Sequence, residues 1–309
     1  IMEGKTHTRK KHHRPGPVST RNLLVATLLN FVITIAEIAG GIISNSLALL
    51  SDALHNLSDT FATFIAYLAT IIGKKGADPK KTFGYKRIEI LAALLNALIL
   101  IIICLYLFKA AYERFNDPQP INSLVMIVVA MVGLIANVLA VAILHHDSRK
   151  SINVKAAYVH LIGDSLSSVV VIIGAAIMQI WEIYWIDPVI TVLIGIYIIK
   201  EALVILKESV NILMQSTPEN LNIRKLKSNV EDIPEVKNIH HLHAWNLDDR
   251  QIHLEAHIEL NEDLKLSEVK PIRQKIEKVM KSKFRINHIT LQFEFHANHN
   301  VKLIQDHHH

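Results

Sequence analysis

One cysteine, Cys104, is present in 309 residues. It has no partner for an internal disulfide, and a thiolate metal site is excluded. The chain also lacks a glycine-rich phosphate loop, an HExxH pair and a Ser-His pairing, so the common short signatures of catalysis are missing. The first residues, THTRKKHHRPGP, are basic and have no apolar core of their own, so no cleavable signal peptide is expected. Lysine and arginine are absent from the turn WEIYWID, 181–187, and scarce in ERFNDPQP, 113–120, which has only Arg114.

What the chain has in plenty is apolar sequence. Half of its residues are hydrophobic, mean hydropathy is +0.28, and the apolar residues are gathered into long runs, which argues for a membrane protein. A hydrocarbon core about 30 Å thick needs roughly 20 apolar helical residues to cross it. Six stretches meet this, near 22–43, 46–72, 88–110, 121–146, 152–180 and 187–213. The basic residues fall on one side of these spans. Lys5, Arg9, Lys10, Lys11 and Arg14 precede the first; Lys74, Lys75, Lys80, Lys81, Lys86 and Arg87 join the second to the third; Arg149, Lys150 and Lys155 join the fourth to the fifth. The positive-inside rule then puts both termini in the cytoplasm. This asymmetry explains the net charge of +5, so it is not read as nucleic-acid binding.

Composition changes at QSTPEN, 215–220. Beyond it the spacing predicts a helix near 219–231, strands near 237–245 and 251–260, a helix over 267–283 and a strand at 288–296. The order is αββαβ, a small two-layer α+β domain of ferredoxin-like type. About 80 residues bury only a modest core, which favours pairing with a second copy as a homodimer. The expected organisation is a basic, histidine-containing arm (1–20), an all-α six-helix transmembrane domain (21–214), a cytoplasmic α+β domain (215–297) and a tail (298–309). Ile1 before Met2 and the histidines at 307–309 read as additions, the latter as part of a tag.

Two fragments inside the apolar spans carry the chemistry. His55-Asn-Leu-Ser-Asp59 lies in the second span and His160-Leu-Ile-Gly-Asp164 in the fifth. A spacing of four places the two side chains of each fragment on one helix face. At about 1.5 Å per residue both pairs fall near the bilayer midplane, where two such faces can converge on one ion. Two imidazoles and two carboxylates match tetrahedral zinc, and the nitrogens disfavour magnesium and calcium. Cobalt, iron and cadmium are further candidates. A single intramembrane His or Asp can instead serve helix packing, but charge at the midplane is costly and usually marks an ion or proton path. Asp52, one turn outside His55, is a candidate carboxylate behind the ligands or along the exit path, with helix packing as its alternative; Glu37 and Asn137 are further path candidates.

At these residues the sequence resembles the cation diffusion facilitator family, zinc transporters that exchange metal for protons. The likeness rests on SLALLSDALHNLSD, FGYKRIEILAAL, HLIGDSLSSV and the αββαβ domain with HHLHAW, and it covers nearly the whole chain. It implies His55, Asp59, His160 and Asp164 as transport-site ligands, with His at the first position accompanying zinc preference. Zinc is then the transported substrate and a candidate regulator, with no organic cofactor. The implied mechanism is alternating access, zinc loading from the cytoplasm and leaving as protons enter, because protons and metal compete for the same ligands and histidine titrates near neutrality.

The likeness is incomplete in two places. His240 and His257 match cytoplasmic ligand positions, but Lys270 and Gln292 stand where relatives have His, and Glu294 replaces an Asp. One weaker site of His240, His257 and Glu294 is the candidate there, with His241 and His243 as substitutes and surface decoration as the alternative. In the loop after the second span only Asp78 matches a relative's zinc ligands, with Lys81 and Tyr85 at the other places, so no site is expected. The loop's basic residues suit topology and lipid head groups. His7, His12 and His13 of the arm could collect zinc weakly. Two other readings stay open: a membrane zinc sensor, and an intramembrane zinc enzyme, although a catalytic zinc keeps a coordination position that four ligands would close. The membrane itself is expected to be the inner membrane of the cell if the source is bacterial.

Overall fold

The computed structural model describes residues 20–73, 76–148, 152–296 and 302–304. The arm with His7, His12 and His13, the basic residues Lys74, Lys75, Arg149 and Lys150, and the terminal histidines fall outside the described residues. Two compact units result, one from the described residues of Ile1–Phe61 and Ile99–Glu201, the other from those of Ala62–Leu98 and Ala202–His309.

Six long helices come first: α1 Thr20–Ser44, α2 Leu47–Gly73, α3 Ile88–Asn116, α4 Ser123–Ser148, α5 Ile152–Trp181 and α6 Ile186–Leu213. They match the six apolar stretches, except that α3 continues past residue 110 through KAAYERFN. Those residues favour helix, and Lys109 and Glu113 form an i,i+4 pair at 3.6 Å. Four segments, Ile88–Asn116, Ser123–His145, Tyr158–Trp181 and Ile186–Leu213, are long and apolar enough to cross a membrane, and Asn30–Ser44 of α1 is a shorter apolar helix.

Burial in the first unit is inverted relative to a water-soluble protein. Ile102 and Leu166 are 65% and 66% exposed, while Glu37, Asn56, Asp164 and Asp187 are almost completely buried. Apolar side chains face outward where lipid is the solvent, and the polar groups satisfy one another inside. Close approach of α1 to α4 needs glycine: a Cβ on Gly40 would run into Val129, and one on Gly133 would run into Glu37 Oε1.

One end of this unit is pinned by Asp187. Its carboxylate accepts from Ser46 Oγ and from the N–H groups of Leu47 and Ala48 at 2.9 and 3.2 Å, the first free donors of α2. Ser46 in turn caps α2, accepting from Leu49 N–H at 3.1 Å. Arg114, near the end of α3, lies 3.7 Å from Asp187 and donates to Asn45, whose positive φ of 59° ends α1. Thus α2 and α6 start together at this pin and run in the same direction.

The second unit includes a domain of α7 Ile223–Glu231, β1 Val236–Asn246, β2 Ile252–Leu260, α8 Leu266–Phe284 and β3 His288–Glu294, in the expected αββαβ order. The sheet order is β1-β2-β3, with β1 antiparallel and β3 parallel to β2. α7 begins four residues later than expected, because Asn222 caps it by accepting from Lys225 N–H. Leu226, Val230, Ile239, Leu254, Ile258, Ile276 and Met280 form the centre of one core between helices and sheet. Residues 302 and 303 accept from His241 and Leu242 N–H, and Leu303 packs on that core.

Candidate metal centre

Helical spacing within α2 and α5 brings His55, Asp59, His160 and Asp164 together, with one ligand atom from each lying within 4.8 Å of all the others. His160 Nε2 is 3.0 Å from Asp59 Oδ2 and 3.6 Å from Asp164 Oδ2; His55 Nε2 is 3.5 Å from Asp59 Oδ2 and 3.7 Å from Asp164 Oδ1. A tetrahedral ion with bonds of about 2.0–2.2 Å separates its ligand atoms by about 3.3–3.6 Å, so the four atoms already stand near coordination spacing. Among the described residues neither nitrogen of His55 has a hydrogen-bond partner, nor does Asp164 Oδ2, although both residues are buried. Unsatisfied polar atoms in such a place are costly unless something else binds them.

The centre has a closed side and an open side. The side chains of His55 and Asp164 are 6% and 3% exposed, those of Asp59 and His160 31% and 37%. Asp59 is one turn further from the pin than His55, and His160 one turn further than Asp164 on the oppositely directed α5. The open side therefore faces away from the pin.

Asp52 closes the other side. It accepts from Ser167 and Ser168 of α5, joining the two helices one turn nearer the pin. Sequence reading did not single out these serines, although their offsets of three and four from Asp164 put them on its helix face. Both hydroxyls also reach the Asp164 carbonyl, at 2.9 and 3.0 Å. Glu37 is fully buried and accepts from Asn56 Nδ2 at 2.8 Å, and Asn137 is buried on α4. Asn56 was missed as well, being masked by its neighbour His55. On α6, Tyr197 and Glu201 carry the same i,i+4 signal as the ligand pairs and were also missed.

The cytoplasmic-type candidates also converge. Glu294 Oε1 is 2.7 Å from His257 Nδ1 and its Oε2 3.2 Å from His240 Nε2. The register pairs His240 with His257, and Gln292 donates to Glu294 at 2.8 Å. A bulge in β1 follows His240, where His241 takes φ 48° and stacks on the His257 ring at 4.6 Å; His243 lies 5.0 Å from His241. Lys270 belongs to α8 and is exposed, whereas the cluster is formed by strand residues. In the loop before α3, Asp78 accepts from the N–H groups of Lys80 and Lys81 to form a turn, and Lys81 Nζ sits 4.1 Å from the Tyr85 ring centre. Phe83 of the same loop packs on His253, which also meets Trp245 and His288. Burial, aided by the positive charge of His288 and Lys86, holds the His253 imidazole below its ordinary pKa.

A lipid-facing helical unit with an internal cluster of imidazoles and carboxylates defines an integral membrane carrier of cations. The chain belongs to the cation efflux family: residues 23–214 match the cation efflux transmembrane domain and residues 218–296 the cation efflux protein cytoplasmic domain. It is 39% identical over 283 residues to the metal cation efflux system protein CzcD of Cupriavidus metallidurans, covering 92% of this chain and 89% of that one. Identity to the cadmium, cobalt and zinc/H(+)-K(+) antiporter of Bacillus subtilis is 35% over 309 residues, 96% and 99% of the two chains. To the zinc transporter ZitB of Escherichia coli it is 34% over 316 residues, 98% and 99%.

Proposed function

We propose that this chain exports divalent cations, zinc foremost, in exchange for protons, with His55, Asp59, His160 and Asp164 as the ligands of the transported ion. The observation that carries the reading is the near-coordination spacing of four N and O atoms inside a membrane unit, two of them belonging to a buried imidazole and carboxylate with unsatisfied atoms. The relatives named for zinc transport and for cadmium, cobalt and zinc antiport support the substrate class and the proton.

Ligand chemistry supplies the coupling. Zinc binds the deprotonated cluster, so protons arriving from the far side compete for the same lone pairs and release it. No bond of the cargo is made or broken, which sets this apart from an intramembrane zinc enzyme. The charge bias of the loops supports cytoplasmic termini, and the inner membrane of a bacterial cell is the proposed location. In this reading 21–214 is the transport domain and 215–297 a cytoplasmic domain through which two copies pair, flanked by the 1–20 arm and the 298–309 tail. His240, His257 and Glu294 form a regulatory zinc site there, supported by their mutual distances.

The test is flux in proteoliposomes under a pH gradient, with zinc, cadmium, iron and manganese offered in turn. Zinc-driven proton movement is expected. Binding without flux would replace this reading with a membrane zinc sensor.

A further inference from the structure

We infer that Glu201, held in place by Tyr197, is the carboxylate that a divalent cation meets first on its way to the four ligands, and that it sets the concentration at which the site loads. This rests on the transport reading above.

Three observations place Glu201 at the open side of the centre. First, α2 and α6 leave the Asp187 pin together. At about 1.5 Å per residue, Asp59 is then about 18 Å from the pin along α2 and Glu201 about 21 Å along α6. The two carboxylates therefore share a depth, on the side away from the pin where Asp59 and His160 are partly exposed. Second, the Tyr197 hydroxyl donates to Glu201 Oε1 at 2.6 Å. Among the described residues this is the one hydrogen bond recorded for that carboxylate. Third, Tyr197 belongs to the wall of the centre. Its ring meets the His55 ring edge to face at 6.2 Å, and a Cβ on Gly163, the residue before Asp164, would lie 3.5 Å from its hydroxyl.

One side chain thus links the buried imidazole of the site to a carboxylate at its mouth. A fixed negative charge beside a low-dielectric wall raises the local cation concentration and begins to replace the ion's hydration shell. The tyrosine hydroxyl holds the glutamate by one hydrogen bond. Since Glu201 adds no ligand to the inner four, it governs loading and selection by charge rather than coordination within the site.

Zinc-dependent proton flux is measured in proteoliposomes for the unaltered chain, Glu201→Gln, Glu201→Asp and Tyr197→Phe, at low and high ionic strength. Glu201→Gln is expected to raise the zinc KM about tenfold with kcat within about twofold, and the difference should shrink at high salt as the charge is screened. Glu201→Asp should recover part of the loss, and Tyr197→Phe should raise KM about threefold. A purely structural role would lower kcat and yield without salt dependence. An unaltered chain without zinc flux overturns the transport reading and this inference with it. Normal flux with an unchanged KM in Glu201→Gln overturns the inference alone.

Discussion

His160 Nε2 lies 3.0 Å from Asp59 Oδ2, joining two helices that are separated in sequence by all of α3 and α4. The other three imidazole-carboxylate distances of the cluster, 3.5, 3.6 and 3.7 Å, are longer. One proton can bridge the shortest pair, whereas an ion can draw all four together.

Replacing either carboxylate should therefore cost the ion, not the fold. Asp59→Asn and Asp164→Asn are each expected to weaken zinc binding at least about tenfold, about 1.4 kcal/mol, in calorimetric titration of the purified protein. Zinc transport surviving Asp59→Ala or Asp164→Ala would remove these residues from the proposed site.

Asp52 depends on two serine donors for its burial. The double change Ser167→Ala with Ser168→Ala leaves that carboxylate without them, at a cost of about 1–3 kcal/mol per lost donor. The thermal unfolding midpoint in detergent should fall, and a smaller fall is expected for either single change. No movement of the midpoint would mean that water replaces the hydroxyls.

At the pin, Asp187→Ala strands the first N–H groups of α2 and removes the counter-charge of the Arg114 guanidinium, which keeps its hydrogen bonds to Asn45. Stability should drop by several kcal/mol, given about 1–3 kcal/mol for each orphaned donor. Asp187→Asn retains one acceptor oxygen and should fall between the two. Chemical or thermal unfolding of the solubilised protein measures the order, and equal stability of all three forms would contradict the pin.

The His253 contact should weaken in acid. Folded His253 binds a proton only below its ordinary value, whereas the unfolded chain binds one near pH 6.5. Above that pH neither state is protonated and the contribution is complete; as pH falls below about 6.5 the unfolded state takes its proton first and stability is lost. Trp245 reports the change, its ring being 5.7 Å from His253. With Trp181→Phe and Trp185→Phe in place, its fluorescence midpoint for unfolding should fall between pH 7 and 5.5, and His253→Gln should flatten that slope.

Gly133 is small because Glu37 occupies the space beside it. Gly133→Ala should displace the Glu37 carboxylate from Asn56 and lower stability by about 1–3 kcal/mol, read by the same thermal scan. Gly76→Ala, where an added Cβ meets nothing within 4 Å, is the matched control.

The order and type of the elements were legible in the chain because the signals are strong and local. Long apolar runs imply helices in lipid, and period-two alternation in QIHLEAHIEL implies a strand. The His-x-x-x-Asp repeats also declared which side chains share a helix face. Local signals were weaker at ends set by caps, as in the start of α7 at Ile223, where a single Asn222 hydrogen bond decides the residue.

Asp52 shows the limit. Its spacing put it near the face of His55, but only the packing of α5 against α2 made Ser167 and Ser168 its partners. The same holds for Asn56 with Glu37, Asp187 with Ser46 and Tyr197 with the wall of the centre. Sequence by itself determined the helices, their lipid-facing character by hydropathy, and the residues able to share one helix face, since those follow from periods of 3.6 and 2 along one chain. Which faces meet, and which polar group satisfies which, was decided by tertiary structure, because a buried hydrogen bond depends on ångström distances between helices that no spacing along one helix encodes.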